Sequence, residues 1–407
     1  MTLLLHDVST TPVKDLGLEK YDVIIVGAGF AGSVIARELA ERAGKTVALI
    51  EQRPHVAGNA FDHLDEAGVL IHQYGPHIFH TNEKRAYDYL SRFTPWLDYQ
   101  HKVLADIHGT YTPVPFNLNS IELHFPPAQA QELIGKLLAT FGENTKVPII
   151  ELRAQDDPLL AQLADFVYRN VFLYYTQKQW GVRPEEVDPT VTARVPVLVG
   201  RDDRYFQDRY QGMPLNGYTA LFESMLDHER ITVFTNLDAN AALLFEPGSD
   251  GKFEAVSIGG APYTGTVVYS GPLDRLCKDC FGILPYRSLD FVFKTLGQKH
   301  CQPCGTVNYT VSEDYTRITE FTYLTGQDLD QTTIMEEYPR TYLAQPGQVP
   351  YYAILNDNNF AHYNRYLDLF ADLRDFHVIG RLAEYRYYNM DQIVMRALEL
   401  ADGLCDR

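Results

Sequence analysis

Gly27, Gly29 and Gly32 stand at the spacing G-x-G-x-x-G and could form a phosphate-binding turn. In such a turn the first glycine allows a tight bend, the second lets backbone approach a pyrophosphate, and the third lets the helix pack on the strand. Glu51, about twenty residues further on, could accept hydrogen bonds from a ribose hydroxyl. These residue types at this spacing predict a dinucleotide site.

The elements that would position this turn follow from hydrophobic periodicity. Residues 23–26 predict a short buried strand, 30–43 a helix, and 47–50 a second strand that ends at Glu51. The glycine spacing alone is weak, but strand, helix, second strand and acid together favour dinucleotide binding strongly.

Two C-x-x-C pairs, Cys277 with Cys280 and Cys301 with Cys304, are twenty residues apart, a spacing that could hold zinc. The apolar alternation at 289–293 predicts one strand between the pairs. A ten-residue strand spans ~33 Å, so the pairs would lie at opposite ends of it. We therefore expect reduced cysteines and no metal.

Composition narrows the class of protein. The 407 residues are 45% apolar, which indicates a globular protein of about two or three domains. The net charge of −18 argues against nucleic acid or an anionic membrane as partner. Apolar runs stay short of the ~18 residues of a membrane span, and the amino terminus lacks a secretory pattern, so we expect a cytoplasmic protein.

Further motifs connect the chain to a family. The segments YGPHIFHT, YYTQKQWG, TARVP, YTRITE, PYYAI and GRLAEYRYYNMD resemble those of the UDP-galactopyranose mutase family, over about residues 21–401. The resemblance implies a flavin-dependent isomerase that interconverts UDP-galactopyranose and UDP-galactofuranose. It further implies that N5 of reduced FAD attacks the anomeric carbon while UDP leaves and returns. A mutase for a related N-acetylated or deoxy nucleotide sugar, or a flavin oxidoreductase of the amine-oxidase type, stays open.

The substrate site implied by this resemblance is rich in arginine and tyrosine. Guanidinium forks suit a pyrophosphate that gains charge as it leaves. Arg194 and Arg317 match the catalytic arginines, and His80 matches a histidine beside flavin and sugar. The other expected substrate contacts are His101, Tyr175, Thr176, Trp180, Tyr205, Asn308, Tyr352 and Tyr387.

The cofactor site implied by the resemblance draws on both ends of the chain. The start of the last helix would offer partial positive charge to a reduced, anionic flavin. An electron donor such as NADPH or a reductase, and a homodimer or higher homo-oligomer, are also implied. The expected FAD contacts are Gly27, Gly29, Ala31, Gly32, Glu51, Gln52, Arg53, Gly58, Asn59, His77, Ile78, Arg381, Tyr388, Asn389, Met390 and Asp391, whereas Tyr385 is expected only to pack.

Four positions depart from the family pattern. Ala57 stands where a glycine is usual, and Ala353 where a proline is usual. Val171 replaces a phenylalanine and Tyr174 a glycine just before YTQKQW. The last two changes would alter the uridine pocket.

The predicted fold class is α/β: a Rossmann-like FAD-binding domain built from discontinuous segments, with a helical insert domain and an antiparallel β-sheet domain. Residues 1–20 would form an N-terminal extension. The expected ranges are 21–82, 213–270 and 365–407 for the FAD domain, 83–180 for a helical substrate or lid domain, and 181–212 with 271–364 for the antiparallel sheet domain.

Overall fold

The computed structural model describes residues 3–186 and 196–406. The strands of the described residues form two large sheets and four small ones. In chain order they are β1 Leu5–Asp7, β2 Val23–Val26, β3 Val47–Ile50, β4 Asp62–Leu64, β5 Leu70–His72, β6 Phe79–Thr81, β7 Trp96–Leu97, β8 Val103–Ile107, β9 Thr110–Val114, β10 Thr145–Val147, β11 Val197–Val199, β12 Tyr210–Pro214, β13 Ile231–Thr235, β14 Leu243–Pro247, β15 Phe253–Ile258, β16 Ala261–Tyr263, β17 Thr266–Tyr269, β18 Tyr286–Leu296, β19 Thr306–Tyr309, β20 Arg317–Glu320, β21 Thr332–Thr341, β22 Tyr352–Ala353 and β23 Phe376–Val378.

Helices pack on both faces of the parallel sheet and fill the region around residues 118–180. They are α1 Phe30–Arg42, α2 Lys84–Leu90, α3 Leu118–His124, α4 Pro127–Phe141, α5 Ile149–Arg153, α6 Pro158–Val167, α7 Tyr174–Trp180, α8 Gly217–Leu226, α9 Ala239–Ala242, α10 Leu273–Leu276, α11 Phe321–Thr325, α12 Asp357–Asp368 and α13 Met390–Cys405. A π-helical segment, Tyr168–Leu173, joins α6 to α7.

A six-stranded parallel sheet with the order β1-β13-β3-β2-β17-β23 forms the Rossmann-like domain. The side chains of β2 (VIIV) and β3 (VALI) are fully buried because elements cover both faces of the sheet. Helix α1 packs against α8 and α13, which come from the middle and the end of the chain. The predicted α/β class with discontinuous segments is therefore confirmed.

The second large sheet has seven strands in the order β22-β18-β21-β20-β19-β8-β9. Its neighbours are antiparallel except β19 and β8, which run parallel. Strand β18 contains Leu289, Phe291 and Phe293, which confirms the single strand predicted between the cysteine pairs.

Two strand pairings join segments that the predicted domain organisation keeps apart. The segment set apart as an N-terminal extension contributes β1, whose Leu5, His6 and Asp7 pair with β13 at the edge of the parallel sheet. The region 83–180 is not helical alone, since β8 and β9 extend the antiparallel sheet. Both are pairings between distant segments, which local periodicity does not reveal. The domain boundaries themselves stay predictions.

Candidate active site

The glycine-rich turn lies between β2 and α1, as the sequence predicts. A Cβ at Gly27 would lie 2.2 Å from Ser270 Oγ, and one at Gly32 would lie 2.0 Å from the Gly27 carbonyl oxygen. No residue larger than glycine fits either position. Helix α1 begins after Gly29, which has no side chain to cap it, so its first N–H groups are suited to phosphate oxygens.

The Glu51 carboxylate lies beside this turn and is buried. Its Oε2 accepts the Ala28 N–H at 2.9 Å and its Oε1 accepts the Arg53 N–H at 2.9 Å. Each carboxylate oxygen keeps a further lone pair that could accept from a ribose hydroxyl.

The loop after β3 approaches the turn closely. Arg53 Nη2 donates to Asn59 Oδ1 at 3.0 Å, and its guanidinium stacks 4.2 Å from the Tyr74 ring centre. A Cβ at Gly58 would lie 2.9 Å from the Gly29 Cα. Ala57 has φ 71°, a left-handed conformation that favours glycine. This explains why glycine is the usual residue at this position in the family.

A cavity of about 710 Å3 opens beside the glycine-rich turn. A glycine cradle, an uncapped helix start and a polar lining fit an extended dinucleotide better than a small ligand. Of the sixteen expected cofactor contacts, twelve line this cavity: Gly27, Gly29, Ala31, Glu51, Gln52, Arg53, Gly58, Asn59, His77, Arg381, Tyr388 and Met390.

Four expected cofactor contacts lie elsewhere around the cavity. Gly32 packs against the turn, and Ile78 packs against the core of the parallel sheet. Asn389 caps the start of α13, and Asp391 in the first turn of that helix accepts the Thr81 hydroxyl at 2.8 Å. These contacts would shape the cavity rather than line it.

Sequence reasoning missed one wall of the cavity. Residues 344–350, between β21 and β22, line it opposite the glycine-rich turn, as do Ser270 and Gly271 after β17. The position of Ser270 and Gly271 at the carboxyl end of a parallel strand was a usable signal. The 344–350 loop comes from the other sheet and carried no local signal.

His77 lines the cavity as a neutral acceptor. Burial lowers its pKa to about 3, so the ring is neutral near pH 7. Its Nδ1 pairs with the Gly75 carbonyl at 2.8 Å and therefore carries the proton. Nε2 is then left without a proton.

Arg381 stands between the cavity and a group of tyrosines. Its Nη2 donates to the Tyr388 carbonyl at 2.7 Å. The guanidinium lies 4.6 Å from the Tyr387 ring centre and 5.5 Å from that of Tyr352. The cofactor cavity and the predicted substrate residues are therefore neighbours.

Arg317 is the cation at the centre of the predicted substrate residues. Burial would lower its pKa, but the charge of Glu337, together with Tyr175, Tyr352 and Tyr205, raises it. Glu337 is buried and lies 3.2 Å from Arg317 Nη2. The Arg317 side chain is 24% exposed, but its Nε is buried and, among the described residues, lacks a hydrogen-bond partner. A half-buried guanidinium with a spare buried donor suits an anionic ligand.

Aromatic side chains surround this guanidinium. Burial and the Glu337 charge raise the pKa of Tyr352 to about 12, and Arg317 and Arg381 both oppose that rise, so Tyr352 lies within reach of both cations. The Tyr352 ring stacks on the Tyr387 ring, with 6.1 Å between the ring centres, and its centre lies 5.7 Å from that of the Trp180 ring. The structure thus brings these predicted residues into one cleft.

The remaining predicted substrate residues flank the same cleft. Asn308 pairs opposite Arg317 in the β19–β20 ladder. Tyr175 and Thr176 lie on α7, and the charge of Arg317 acts on the buried Tyr175 hydroxyl. His101 accepts the Tyr205 N–H at its carbonyl, 2.7 Å away, and burial lowers the pKa of its ring to about 3.

His80 lies beside Phe206 and Asp208, two residues that sequence reasoning missed. Its ring stacks on the Phe206 ring, with 3.5 Å between the ring centres, and its Nδ1 lies 2.8 Å from Asp208 Oδ2. Glu337 was missed as well, since its role beside Arg317 depends on a strand pairing. Arg194, the other predicted catalytic arginine, lies outside the described residues.

The cysteines take no part in the cleft. Cys277, Cys280, Cys301 and Cys304 are free thiols, and β18 lies between the two pairs. Within residues 3–186 and 196–406, no three His, Cys, Asp or Glu side chains are grouped so that they could hold a metal ion. Across the same ranges, no helix has both the length and the apolar character needed to cross a membrane.

A Rossmann-like domain with a glycine cradle, next to an arginine–tyrosine cleft on an antiparallel sheet, defines a dinucleotide-dependent enzyme with an anionic substrate. Residues 170–387 match the family UDP-galactopyranose mutase, and residues 25–93 match the NAD(P)-binding Rossmann-like domain. The chain belongs to the UDP-galactopyranose mutase family.

Three relatives and one solved structure illustrate this. A probable UDP-galactopyranose mutase of Klebsiella pneumoniae is 34% identical, over 94% of each chain. The UDP-galactopyranose mutase of Mycoplasma pneumoniae is 33% identical, over 95% of this chain and 96% of the relative. A dTDP-fucopyranose mutase of Escherichia coli is 32% identical, over 93% and 97%. A crystal structure of reduced UDP-galactopyranose mutase has the same fold, with a TM-score of 0.67, 16% identity and coverage of 95% and 96%.

Proposed function

We propose that this protein interconverts UDP-galactopyranose and UDP-galactofuranose with FAD as its cofactor, active in the reduced form. The observation that carries the proposal is the half-buried Arg317, whose Nε is buried and has no partner among the described residues. Glu337 holds one end of the guanidinium, which leaves the rest for a diphosphate. Arg194 is proposed as its partner arginine.

The glycine-rich turn and the volume of the cofactor cavity support FAD as the bound cofactor. Glu51 and the glycine-rich turn would bind the adenosine ribose and the pyrophosphate. The start of α13 would face the flavin ring and favour its anionic reduced form. When bound, reduced FAD supplies a nucleophilic nitrogen, and this chain's own residues bind the sugar nucleotide against it.

In the proposed reaction the protein's part is to hold UDP while the sugar changes ring size. Arg317, with Tyr205, Tyr352 and Tyr387, would bind the diphosphate and stabilise its growing charge on departure. Tyr175 and Trp180 would stack on uracil. An electron donor such as NADPH or a reductase would reduce the cofactor, in the cytoplasm, and the enzyme would act as a homodimer or larger homo-oligomer.

A second candidate substrate is a dTDP-deoxy sugar. The dTDP-fucopyranose mutase relative is nearly as similar to this chain as the UDP-galactopyranose mutases are. Val171 and Tyr174, next to the predicted base site, depart from the family pattern and could change selectivity.

A panel assay tests both candidates. Dithionite-reduced protein is incubated separately with UDP-galactofuranose, its N-acetylated analogue and dTDP-fucofuranose, and products are separated by chromatography. We expect UDP-galactopyranose to form fastest, with no hydrogen peroxide, and FAD to be released on denaturation. Faster conversion of the dTDP sugar would establish the second candidate. A parallel incubation of oxidised protein in air tests the remaining alternative, because oxidation of the sugar with release of hydrogen peroxide there would support an amine-oxidase-type enzyme instead.

A further inference from the structure

His80 is held on two sides by residues from the segment before β12. The Phe206 ring lies 3.5 Å from the His80 ring, with an interplanar angle of 12°. Asp208 Oδ2 lies 2.8 Å from His80 Nδ1. Stacking fixes the ring plane and the carboxylate fixes one edge, so the imidazole has a defined orientation.

A chain of hydrogen bonds determines which nitrogen of His80 carries the proton. The backbone N–H of Arg209 donates to Asn82 Oδ1 at 3.0 Å, so the amide nitrogen of Asn82 must point the other way. That nitrogen donates to Asp208 Oδ1 at 2.6 Å. The remaining oxygen, Oδ2, can only accept while ionised, so His80 Nδ1 carries a proton. In the neutral ring Nε2 is then unprotonated.

Asp208 is suited to this role. The hydrogen bond from His80 lowers the pKa of Asp208, so the carboxylate stays ionised near pH 7. Gln211 Nε2 donates to the carbonyls of Phe206 and Asp208, at 3.1 and 3.0 Å, and so holds the turn that carries both residues. His80 and Gln211 are opposite each other in the β6–β12 ladder.

The imidazole lies next to the arginine–tyrosine cleft. Phe206 contacts the rings of His101 and Tyr205, at 6.0 and 4.8 Å. Burial and, after it, the charge of Arg317 lower the pKa of the His101 ring, so His101 lies within reach of that guanidinium. Among the described residues, the hydrogen bond of His80 is made by Nδ1, which leaves Nε2 available to a ligand in the cleft.

We infer that Asp208 is a positioning residue, aligned by Asn82, that fixes the tautomer of His80. In this tautomer Nδ1–H donates to Asp208, and Nε2 is free to accept a hydrogen bond from a hydroxyl of the substrate sugar. The role deepens the proposed function and rests on it. A sugar that changes ring size must release a proton from the hydroxyl that closes the new ring. A fixed acceptor nitrogen at the cleft provides a place for it. Ring opening gives a proton to the freed ring oxygen, and ring closure releases one from the attacking hydroxyl. The proton that Nε2 accepts at closure therefore replaces the one delivered at opening, and none is gained or lost over the cycle.

The variant Asp208→Asn reverses this arrangement without changing its shape. Asn82 still donates toward position 208, so the introduced amide must turn its oxygen to Asn82 and its nitrogen to His80. The amide nitrogen donates to Nδ1, which moves the ring proton to Nε2. We expect kcat to fall about 10²-fold, as for a base in the wrong tautomer, while KM changes less than about threefold.

The double variant Asn82→Asp with Asp208→Asn restores the original direction. The carboxylate introduced at position 82 accepts from the Arg209 N–H and from the amide introduced at position 208. That amide then presents its oxygen to His80 Nδ1–H. We expect the double variant to regain at least about tenfold of the lost kcat.

Nitrogen-15 NMR of histidine-labelled protein reads the tautomer directly, with His80→Gln used to assign the signal. In spectra recorded at a pH at which the ring is neutral, we expect an unprotonated Nε2 in the unaltered protein, a protonated Nε2 in Asp208→Asn, and reversal in the double variant. Asp202→Asn removes a carboxylate from the same segment, where it pairs with Arg204, and should leave both the His80 signal and kcat unchanged.

Three outcomes would overturn the inference: an unchanged His80 tautomer in Asp208→Asn, an unchanged kcat there, or a double variant that restores the tautomer but not kcat. Cofactor absorbance and thermal melting check that each variant folds. If Asp208→Asn does not fold, the tautomer in the unaltered protein and kcat of the double variant decide. If the unaltered protein converts no nucleotide sugar, the proposed function fails, and the NMR result still decides the tautomer.

Discussion

At the residue scale, the arrangement around Arg317 would allow an acidic protein to bind the diphosphate of the proposed substrate. The net charge of −18 repels anions on average, so binding requires a local cation shielded from solvent. Glu337 is buried beside Arg317 and keeps it charged. The spare Nε donor is then satisfied when a ligand arrives.

Replacing Arg317 with lysine tests this arrangement. Lysine keeps the charge but has neither the Nε donor nor the planar fork, so we expect kcat/KM to fall about 10²–10³-fold. Cofactor absorbance should be retained, because Arg317 does not line the cofactor cavity. Arg340→Lys, at an exposed pair with Asp290, is the matched control and should change little. Loss of cofactor from Arg317→Lys would contradict the assignment.

Asp274 provides a test of stability against pH. Its carboxyl is fully buried, Oδ2 accepts the Leu284 N–H at 2.8 Å, and Oδ1 has no partner among the described residues. Burial raises its pKa from 3.8 to about 6. The folded state therefore resists ionisation, and the resulting destabilisation is absent below about pH 4, grows up to about pH 6, and is complete above it.

Asp274→Asn removes this charge and keeps an acceptor for Leu284. We expect the variant to gain stability relative to the unaltered protein as pH rises, by about 3 kcal/mol between about pH 4 and pH 7. Urea unfolding at several pH values measures the difference. A difference that is the same at about pH 4 and pH 7 would show that Asp274 does not ionise on this scale.

At the element scale, α7 carries Tyr175, Thr176 and Trp180, and two cations fasten its end to the antiparallel sheet. Lys178 Nζ donates to the carbonyls of Tyr309, Glu313 and Tyr315, at 2.6 to 3.0 Å. Arg287 donates to the carbonyls of Gln179 and Lys178, at 2.8 and 3.1 Å. The Arg287 bonds satisfy free carbonyls of the helix end, where a cation is favoured, whereas the Lys178 bonds tie the helix to β19 and the segment after it.

Arg287→Met should loosen this attachment and leave the cofactor cavity intact. We expect UDP to bind about tenfold more weakly, because Tyr175 and Trp180 lose their fixed position. Calorimetric titration with UDP gives the affinity, and absorbance gives the cofactor content. Arg169→Met, at an exposed ion pair near the same helix, should bind UDP normally. Equal affinity in both variants would rule out the attachment as a determinant.

Structural features were predicted well from the sequence where the interacting residues are close together in the chain, and poorly where they are far apart. The glycine-rich turn, β2, α1 and Glu51 are local, and all were predicted in place. Tyr385 was expected only to pack, and it is confirmed as buried, with its hydroxyl donating to the Pro285 carbonyl at 2.6 Å. β1, in the range expected to form an N-terminal extension, was not predicted as a strand, because its partner β13 lies far along the chain.

The same reason limits prediction of the site. Arg317 and His80 were found through family motifs, but the groups that orient them, Glu337 and Asp208, were not. Asp208 is 128 residues from His80, and no local pattern links the two. Ala57, by contrast, could be interpreted from its local motif. Alanine stands where the family usually has glycine, and the structure shows a left-handed backbone, φ 71°, at that position.

At the scale of the whole molecule, two sheets meet so that the cofactor cavity and the substrate cleft adjoin. The parallel sheet supplies the glycine cradle, and the antiparallel sheet supplies Arg317 together with the loop 344–350 that closes the cavity. Arg381 lines the cavity and also contacts the Tyr352 and Tyr387 rings. This arrangement would place the proposed sugar nucleotide beside the proposed cofactor.

The most direct test of this account is a redox cycle on one sample with UDP-galactofuranose. Protein as purified, then reduced with dithionite, then reoxidised by air, is assayed at each stage for UDP-galactopyranose. The account predicts turnover only in the reduced stage, with many turnovers per cofactor and no net consumption of reductant. Equal turnover in the oxidised stages, or one reductant consumed per product, would contradict it.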